Sequence, residues 1–438
     1  MGTQSRTLFA GLLAMAMLSG VPATWAQSPP LNATDSDPVR MGWMLGSPPP
    51  PDKLIRFADG SHLRFPQTRW SFANFRRFMP STNVWRGDGP VAALPRALRS
   101  DIDAVTFTPL GSDQTMTWAQ SLDANYTDAI LVLHKGRVVY ERYFGVMTPH
   151  SPHMAMSVTK SFVGTLGAML VAEGRLDENA LVTKYIPELA GSAWRDATVR
   201  QVLDMTTGLR YSENYADPDA EVWQHARAGG ILPRPPGYAG PKSFYEFLPT
   251  VQKEGGHGEA FAYKTVNTDV LGWLIRRATG QTLGDVLSER IWRKLGAEQD
   301  AYLLVDSEGT EFAGGGLNAA LGDMARFGEM IRRGGRYNGQ QIVPKAVVDD
   351  IRRGADQARF AKAGYRLLPA WSYRDMWWVS HDEHGAFSAR GIHGQAIYID
   401  PKAELVIARF ASHPLAANAN LDPTSLPAYA ALAEHLMR

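Results

Sequence analysis

The stretch SVTKSFVGTLGAMLVAE, from Ser157 to Glu173, decides the fold of this chain. It is largely apolar and Gly174 follows it directly, so the sequence predicts a buried helix that ends there. Ser157 and Lys160 lie three residues apart at its start, and side chains at this spacing share one helix face. A serine hydroxyl is a weak nucleophile at neutral pH and needs a nearby base, which a lysine amine can provide. The free Ser157 N–H in the first turn can supply half of an oxyanion hole.

An S-x-x-K motif is weak by itself, because a chain of this length contains about one by chance. The alternative is a serine that caps the helix and a lysine that faces water. The flanking sequence therefore has to be considered. Before the helix, AILVLHKGRVVYERYFG (Ala129 to Gly145) predicts a hairpin that turns at Lys135-Gly136. Near the chain end, AIYIDPKAELVIARF (Ala396 to Phe410) predicts a second hairpin that turns at Asp400-Pro401.

Between and after the hairpins, further segments have the caps and spacing of helices. These segments are Arg200–Thr206, Asn267–Gly280 with Asn267 as its cap, Leu317–Gly334 and Pro427–Met437. The sequence therefore predicts an α+β fold, in which an antiparallel sheet from both chain ends is flanked by helices, with a helical subdomain between them.

Composition excludes several kinds of function. The 438 residues carry a formal charge of +1, which does not favour a nucleic-acid partner. We interpret the aromatic, arginine-bearing run Arg69–Pro80 as packing rather than nucleic-acid binding. The chain has no cysteine, which rules out disulfides, thiolate metal ligands and a cysteine nucleophile. We expect no cofactor and no metal, and we interpret the possible ligands in His381–His384 as an exposed loop.

The N-terminus has the pattern of an exported protein. Arg6 precedes an apolar run from Leu8 to Val21, and small residues end at Ala26. We predict a signal peptide over residues 1–26, an N-terminal extension over 27–125 that packs on the catalytic body, and a hydrolase domain over 126–438. The protein would then be periplasmic or secreted, with no stable membrane insertion after cleavage. The alternative is an uncleaved anchor, and the oligomeric state is left open.

The chain resembles the serine β-lactamase and penicillin-binding-protein superfamily, in which S-x-x-K opens the central helix. The resemblance is closest to the class C-like 6-aminohexanoate-dimer hydrolases and related esterases, and it extends over most of the chain after about Thr127. The matching segments occur in the same order and are VLDMTTGLRYSENYADP (Val202–Pro218), FAYKTVNTDVLGWL (Phe261–Leu274), GGLNAALGDMARFG (Gly315–Gly328) and GIHGQAIYIDP (Gly391–Pro401).

The resemblance implies that Tyr263 is the third catalytic residue and that Asn267, four positions later, belongs to the substrate site. We expect the pKa of Tyr263 to fall below about 10, since an adjacent Lys160 favours the phenolate. Tyr263 would then relay protons between nucleophile and leaving group. The alternative for Tyr263 is an ordinary core tyrosine.

The segment GIHGQ stands where lactamases carry K-T-G, and the resemblance implies that the Ile392 N–H completes the oxyanion hole. Gly394 would let the backbone approach the substrate closely. His393 is compatible with a Ser–His–Asp triad, but we interpret it as a wall or hydrogen-bonding residue of the substrate site. Its alternative role is purely structural.

Tyr215 matches a pocket tyrosine of the dimer hydrolases, and Trp378 is predicted to form a pocket wall. A surface loop for Tyr215 and core packing for Trp378 are the alternatives. The sequence departs from the family at three points, one of which is the absence of the class A S-D-N motif. K-T-G is absent, and Ala226 stands where the dimer hydrolases carry an acid that holds the substrate amino group. A nylon-oligomer substrate is therefore in doubt.

These residues predict a serine hydrolase that acts through an acyl-enzyme on small carboxylic esters or linear amides. The alternative is a β-lactamase, or a penicillin-binding protein or sensor that β-lactams acylate. No serine lies in a G-x-S-x-G motif, which disfavours an α/β-hydrolase. The intact set of Ser157, Lys160 and Tyr263 argues against a scaffold without activity.

Overall fold

The helix that follows Ser157 runs through the middle of the protein. The computed structural model describes residues 29–438, so the predicted signal peptide lies outside the described residues. This central helix spans Val158–Ala172 and is buried from Val158 to Leu170. A glycine allows one close contact, since a Cβ atom on Gly164 would lie 2.2 Å from the backbone oxygen of Asp375. The predicted helix is confirmed to within one residue at each end.

The main antiparallel sheet, counted over residues 29–438, has seven strands and packs on the central helix. Its strands come from both ends of the hydrolase region, as the sequence predicted. Their spatial order is Ser372–Arg374, Trp377–Val379, Phe387–Gly391, Gln395–Asp400, Leu405–Ala411, Thr127–His134 and Arg137–Tyr143.

Both predicted hairpins are present in this sheet. His134 pairs with Arg137, and the two residues between them, Lys135 and Gly136, have φ of 51° and 75°. Positive φ at both positions is what a two-residue turn needs to match the twist of its strands. The C-terminal hairpin pairs Asp400 with Leu405. The two ends of the hydrolase region therefore meet within the sheet, where its fifth strand, Leu405–Ala411, pairs with its sixth, Thr127–His134.

A smaller antiparallel sheet contacts the start of the central helix through Leu317, whose N–H donates to the Thr159 hydroxyl. Its strands, in spatial order, are Ser81–Val84, Ala301–Leu304, Leu317–Ala320 and Pro152–Met154. Two short ribbons pair Thr106–Phe107 with Met116–Thr117, and Arg336–Tyr337 with Gln340–Gln341. The α-helices of the described region are Pro38–Met41, Thr68–Ser71, Trp118–Ala124, Val158–Ala172, Val199–Leu203, Glu221–Ala228, Phe244–Phe247, Val266–Thr279, Leu283–Leu287, Leu321–Arg332, Lys345–Arg353, Gln357–Ala361 and Asp422–Met437.

Three predicted helix starts are wrong. The C-terminal helix, predicted from Pro427, begins at Asp422. The predicted helix Leu317–Gly334 begins with a strand, Leu317–Ala320, and becomes helical only at Leu321. A short apolar run fits either structure, and pairing with Pro152–Met154 decides it. Asn267 does not cap its helix, which begins at Val266 after Thr265. All three errors shift a boundary and leave the α+β architecture as predicted.

The segment before the hydrolase region is joined to it by buried contacts. Arg69 and Asp128 form an ion pair at 3.3 Å, with both side chains almost fully buried. Phe72 packs edge-on against His153, with ring centroids 5.9 Å apart. The division at residue 125 stays a prediction. Within residues 29–438, no helix has the length and apolar character needed to cross a membrane.

Candidate active site

Ser157 and Lys160 are in direct contact at the start of the central helix. The Lys160 Nζ lies 2.9 Å from the Ser157 Oγ and donates a second hydrogen bond, of 2.5 Å, to the backbone oxygen of Gly314. The lysine side chain is buried, so it does not face water as the alternative interpretation required. Burial lowers the pKa of Lys160 to about 8, although the carboxylates of Glu213 and Asp269 oppose the shift. A substantial fraction of this amine is therefore neutral near pH 8 and able to accept a proton.

Tyr263 lies beside this pair. The Lys160 Nζ is 5.1 Å from the centre of its ring, and the ring stacks on Trp378 at 5.4 Å. Burial raises the pKa of Tyr263 well above 10, and the charge of Glu213 raises it further. The expected fall in this pKa is therefore wrong, because loss of solvent outweighs the lowering by hydrogen bonding with Ser157 and by the charge of Arg390. Tyr263 is a neutral phenol, which suits a proton donor.

Two cavities meet at Ser157. Both are lined by Ser157, Glu213, Tyr215, Ile392 and Ala417. The first, of about 480 Å³, is called the apolar cavity because most of its wall is aliphatic or aromatic. The second, of about 550 Å³, is called the aromatic cavity after the rings that line it. A substrate carbonyl beside Ser157 would therefore have space on two sides.

The apolar cavity has walls from several separate parts of the chain. Its lining includes Leu63, Met154, Met156, Ala226, Ile231 and Phe312. Ala226 is also in this wall, at the position where the sequence analysis found no acid to hold a substrate amino group. Tyr215 stands at the junction of the cavities, and its ring packs edge-on against Trp223 at 5.7 Å.

The aromatic cavity combines rings with a charged pair. Tyr263, Tyr365 and Trp378 line it together with Arg390 and Asp422. Arg390 forms an ion pair with Asp422 and packs against the Trp378 ring at 5.3 Å. Trp378 lies where the sequence predicted a pocket wall.

The two residues predicted to form the oxyanion hole, Ser157 and Ile392, both line the junction of the two cavities. Gly391 ends a strand of the main sheet and lies so close to the chain before Ser157 that a Cβ there would be 2.9 Å from the Ala155 backbone oxygen. Only glycine fits this approach without displacing backbone. It places Ile392 in the wall of both cavities, beside Ser157.

His393 lines the apolar cavity and does not contact the nucleophile. Its Nδ1 is 2.7 Å from the backbone oxygen of His413, and its ring packs edge-on against Phe72 at 5.3 Å. Burial lowers the pKa of His393 to about 4, so the ring is neutral at pH 7. This position supports the interpretation of His393 as a wall residue and gives no support to a Ser–His–Asp triad.

Two residues predicted to bind substrate lie elsewhere. Asn267 is fully buried, and its Oδ1 accepts hydrogen bonds of 3.0 Å from Trp194 and from Thr207. Gly394 has φ of 100°, and a Cβ there would lie 2.7 Å from a Leu421 methyl. Neither lines either cavity. Their predicted contact with substrate is not supported, because one side chain holds the core together and the other residue makes a tight bend.

The chain matches the Beta-lactamase family model over residues 119–426. The chain belongs to the β-lactamase family. It is 38% identical to the 6-aminohexanoate-dimer hydrolase of Paenarthrobacter ureafaciens, over 80% of this chain and 86% of that protein. This chain is therefore a serine hydrolase of the amidase and esterase type, and it acts through an acyl-enzyme.

Solved structures agree with this assignment. A Bacillus anthracis protein assigned as a 6-aminohexanoate-dimer hydrolase is 34% identical and has a TM-score of 0.79, covering 86% of this chain and 96% of that one. EstCE1, a hydrolase with promiscuous acyltransferase activity, shares the fold at 14% identity and a TM-score of 0.55, covering 70% of this chain and 95% of its own.

Glu213 is a residue of this β-lactamase-family site that the sequence analysis missed. It accepts a hydrogen bond from the backbone N–H of Thr265 and another, of 3.3 Å, from the Tyr215 hydroxyl. Its charge raises the pKa of Lys160 and also raises the pKa values of Tyr215 and Tyr263. The sequence did hold one indication of its role: Glu213 lies two residues before Tyr215, within a segment that matches the family.

The loop His381–His384 of this hydrolase is partly exposed and lies outside both cavities. His384 Nδ1 is 2.6 Å from the carboxylate of Asp400. Ligand atoms of Glu383, His384 and Glu434 lie within 4.8 Å of one another, but the two glutamates are exposed. Exposed acidic groups are common without an ion, so this loop gives no reason to assign a metal.

Proposed function

We infer that Ser157 is the nucleophile of this hydrolase, and that Lys160 and Tyr263 transfer its protons. The observation that carries the proposal is the 2.9 Å contact between Lys160 Nζ and Ser157 Oγ at the junction of the two cavities. The neutral amine of Lys160 takes the hydroxyl proton while Oγ bonds to the substrate carbonyl carbon. The N–H groups of Ser157 and Ile392 stabilise the oxyanion that forms.

Collapse of this intermediate breaks the bond to the leaving group. The neutral phenol of Tyr263 donates its proton to the leaving oxygen or nitrogen and is reprotonated from the Lys160 ammonium. This restores the amine and leaves the acyl group on Ser157. A water molecule then gives a proton to the Lys160 amine and bonds to the ester carbon. When the bond to the Ser157 Oγ breaks, Oγ takes that proton back from the ammonium and the carboxylic acid is released.

We propose small carboxylic esters and linear amides as the substrates, with esters cleaved faster. An alkoxide leaves more readily than an amine and needs less help from Tyr263. The sequence lacks the K-T-G lysine that would hold a β-lactam carboxylate. Ala226 also leaves that part of the apolar cavity without the acid that dimer hydrolases use for an ammonium group.

The test is a comparison of kcat/KM for short p-nitrophenyl esters, a 6-aminohexanoate dimer and a chromogenic cephalosporin. We expect the esters to be the best substrates. A tenfold advantage for the cephalosporin, equivalent to about 1.4 kcal/mol of transition-state binding, would make the site a lactamase. A burst of acylation without turnover on the cephalosporin would instead indicate a penicillin-binding sensor.

We also propose that the protein is exported, with a mature N-terminus at or near Gln27. The support is the charged, apolar and small-residue pattern of residues 1–26. Intact-mass measurement of the periplasmic fraction tests this directly. A mature protein that still begins near Met1 would contradict cleavage and favour an anchor.

A further inference from the structure

One wall of the apolar cavity comes from a part of the chain that the family model does not cover. Leu63 lines this cavity together with Ser157, yet the family match begins only at residue 119. The aromatic cavity has no lining residue before Ser157 among residues 29–438. The N-terminal segment therefore contributes to one side of the nucleophile and not to the other.

The segment around Leu63 is held firmly in this position. The neighbouring His62 is fully buried, and its Nε2 lies 3.1 Å from the backbone oxygen of Ile231, another residue of the cavity wall. The Ser71 hydroxyl donates a 2.5 Å hydrogen bond to the His62 backbone oxygen. The rings of Phe57 and Phe78 pack on His62 at 5.0 and 5.5 Å. Leu63 is thus part of a built wall rather than a loose loop beside it.

The position of Tyr263 indicates which half of a substrate enters each cavity. Tyr263 lines the aromatic cavity and not the apolar one. Since this phenol has to reach the leaving atom, the leaving group belongs in the aromatic cavity. The acyl chain then extends into the apolar cavity, between Leu63, Met156 and Ile231.

We propose that Leu63 limits the length of the acyl chain that this hydrolase accepts, and that its substrates carry an uncharged, aliphatic acyl group. The proposal rests on the function proposed above, since it assumes an acyl-enzyme at Ser157. Each methylene of an acyl chain that is buried against the apolar wall strengthens binding. A chain long enough to overlap the Leu63 side chain no longer fits the cavity.

The experiment measures kcat/KM for p-nitrophenyl esters from acetate to laurate. Leu63→Ala is expected to move the optimum to chains about two carbons longer, with a gain of about fourfold for each methylene newly buried. Leu63→Phe should move the optimum in the opposite direction, to chains shorter than the wild-type optimum. The matched control is Leu367→Ala, since Leu367 is also a half-buried leucine but lines the aromatic cavity. It should leave the dependence on acyl length unchanged.

Identical length profiles for wild type, Leu63→Ala and Leu63→Phe would overturn the proposal, as would a shift caused by Leu367→Ala alone. If Leu63→Ala does not fold, the milder Leu63→Val gives the same comparison with a smaller shift. Failure of the proposed function would look different: the wild-type protein would hydrolyse none of the esters and Ser157 would not be acylated.

Discussion

The two cavities beside Ser157 have similar volumes and different chemistry. The apolar cavity is walled by residues such as Met154, Ile231 and Phe312, whereas the aromatic cavity carries the phenol of Tyr263 and the Arg390–Asp422 pair. The apolar cavity offers a substrate mainly shape and apolar area, whereas the phenol of Tyr263 in the aromatic cavity can move a proton. The difference indicates that the apolar cavity selects the acyl group by its shape, whereas the aromatic cavity protonates the leaving group.

The largest effect on activity is expected from removing the Tyr263 hydroxyl, which is the proton donor of the aromatic cavity. Tyr263→Phe keeps the ring on Trp378 and removes only the proton donor, so we expect kcat to fall by about 10²–10⁴-fold with little change in KM. The loss should be greater for an amide than for an ester, because an amine is the poorer leaving group. Tyr365→Phe is the control, since it removes a hydroxyl from the same cavity. Equal effects of the two variants would reduce Tyr263 to a packing residue.

The pH dependence of kcat/KM tests the charge state of the base. Since the pKa of Lys160 is lowered to about 8 and the neutral amine is the active form, activity should be highest above pH 8 and fall about tenfold per pH unit below it. Activity at pH 6 would then be about one hundredth of the plateau. The raised pKa of Tyr263 predicts no loss on the alkaline side below pH 10.

Glu213→Gln sharpens this assignment. The Glu213 carboxylate raises the pKa of Lys160, so removing its charge should move the acid limb to lower pH. A profile that is flat between pH 6 and 8 in the wild type, or unchanged by Glu213→Gln, would mean that another group controls activity.

A charge placed in the apolar cavity should alter its selectivity by a smaller amount. Ala226→Asp introduces an acid where dimer hydrolases carry one, and we expect kcat/KM for a 6-aminohexanoate dimer to rise about tenfold relative to a neutral ester. Ala216→Asp is the control, because Ala216 lines the same cavity but is exposed, and water screens a charge there. Equal gains from both variants would show only a general attraction of the cation.

The sequence predicted the parts of the site that depend on local spacing. Ser157 and Lys160 lie on one turn of a helix, and the hairpin at Lys135-Gly136 follows from turn chemistry, so both were found. The α+β architecture followed from the order of these elements. Tyr263 was also brought to the nucleophile, as the resemblance implied.

The features that the sequence missed depend on burial and on distant parts of the chain. The predicted direction of the Tyr263 pKa shift was wrong, because the sequence shows that a lysine is near but does not show that the tyrosine is buried. Asn267 was assigned to the substrate site from the family resemblance, and its contacts with Trp194 and Thr207 could not be foreseen because they come from other elements. Leu63 was overlooked because its segment reaches the cavity only in the folded protein.

The most direct test is labelling with a fluorophosphonate, which reacts covalently with an activated serine, followed by peptide mapping. The account predicts one adduct, on Ser157, and loss of both labelling and ester hydrolysis in a folded Ser157→Ala variant. Labelling should also decline below pH 8 together with activity, since both require the neutral amine of Lys160. An adduct on another serine, or ester hydrolysis that persists in Ser157→Ala, would contradict the account.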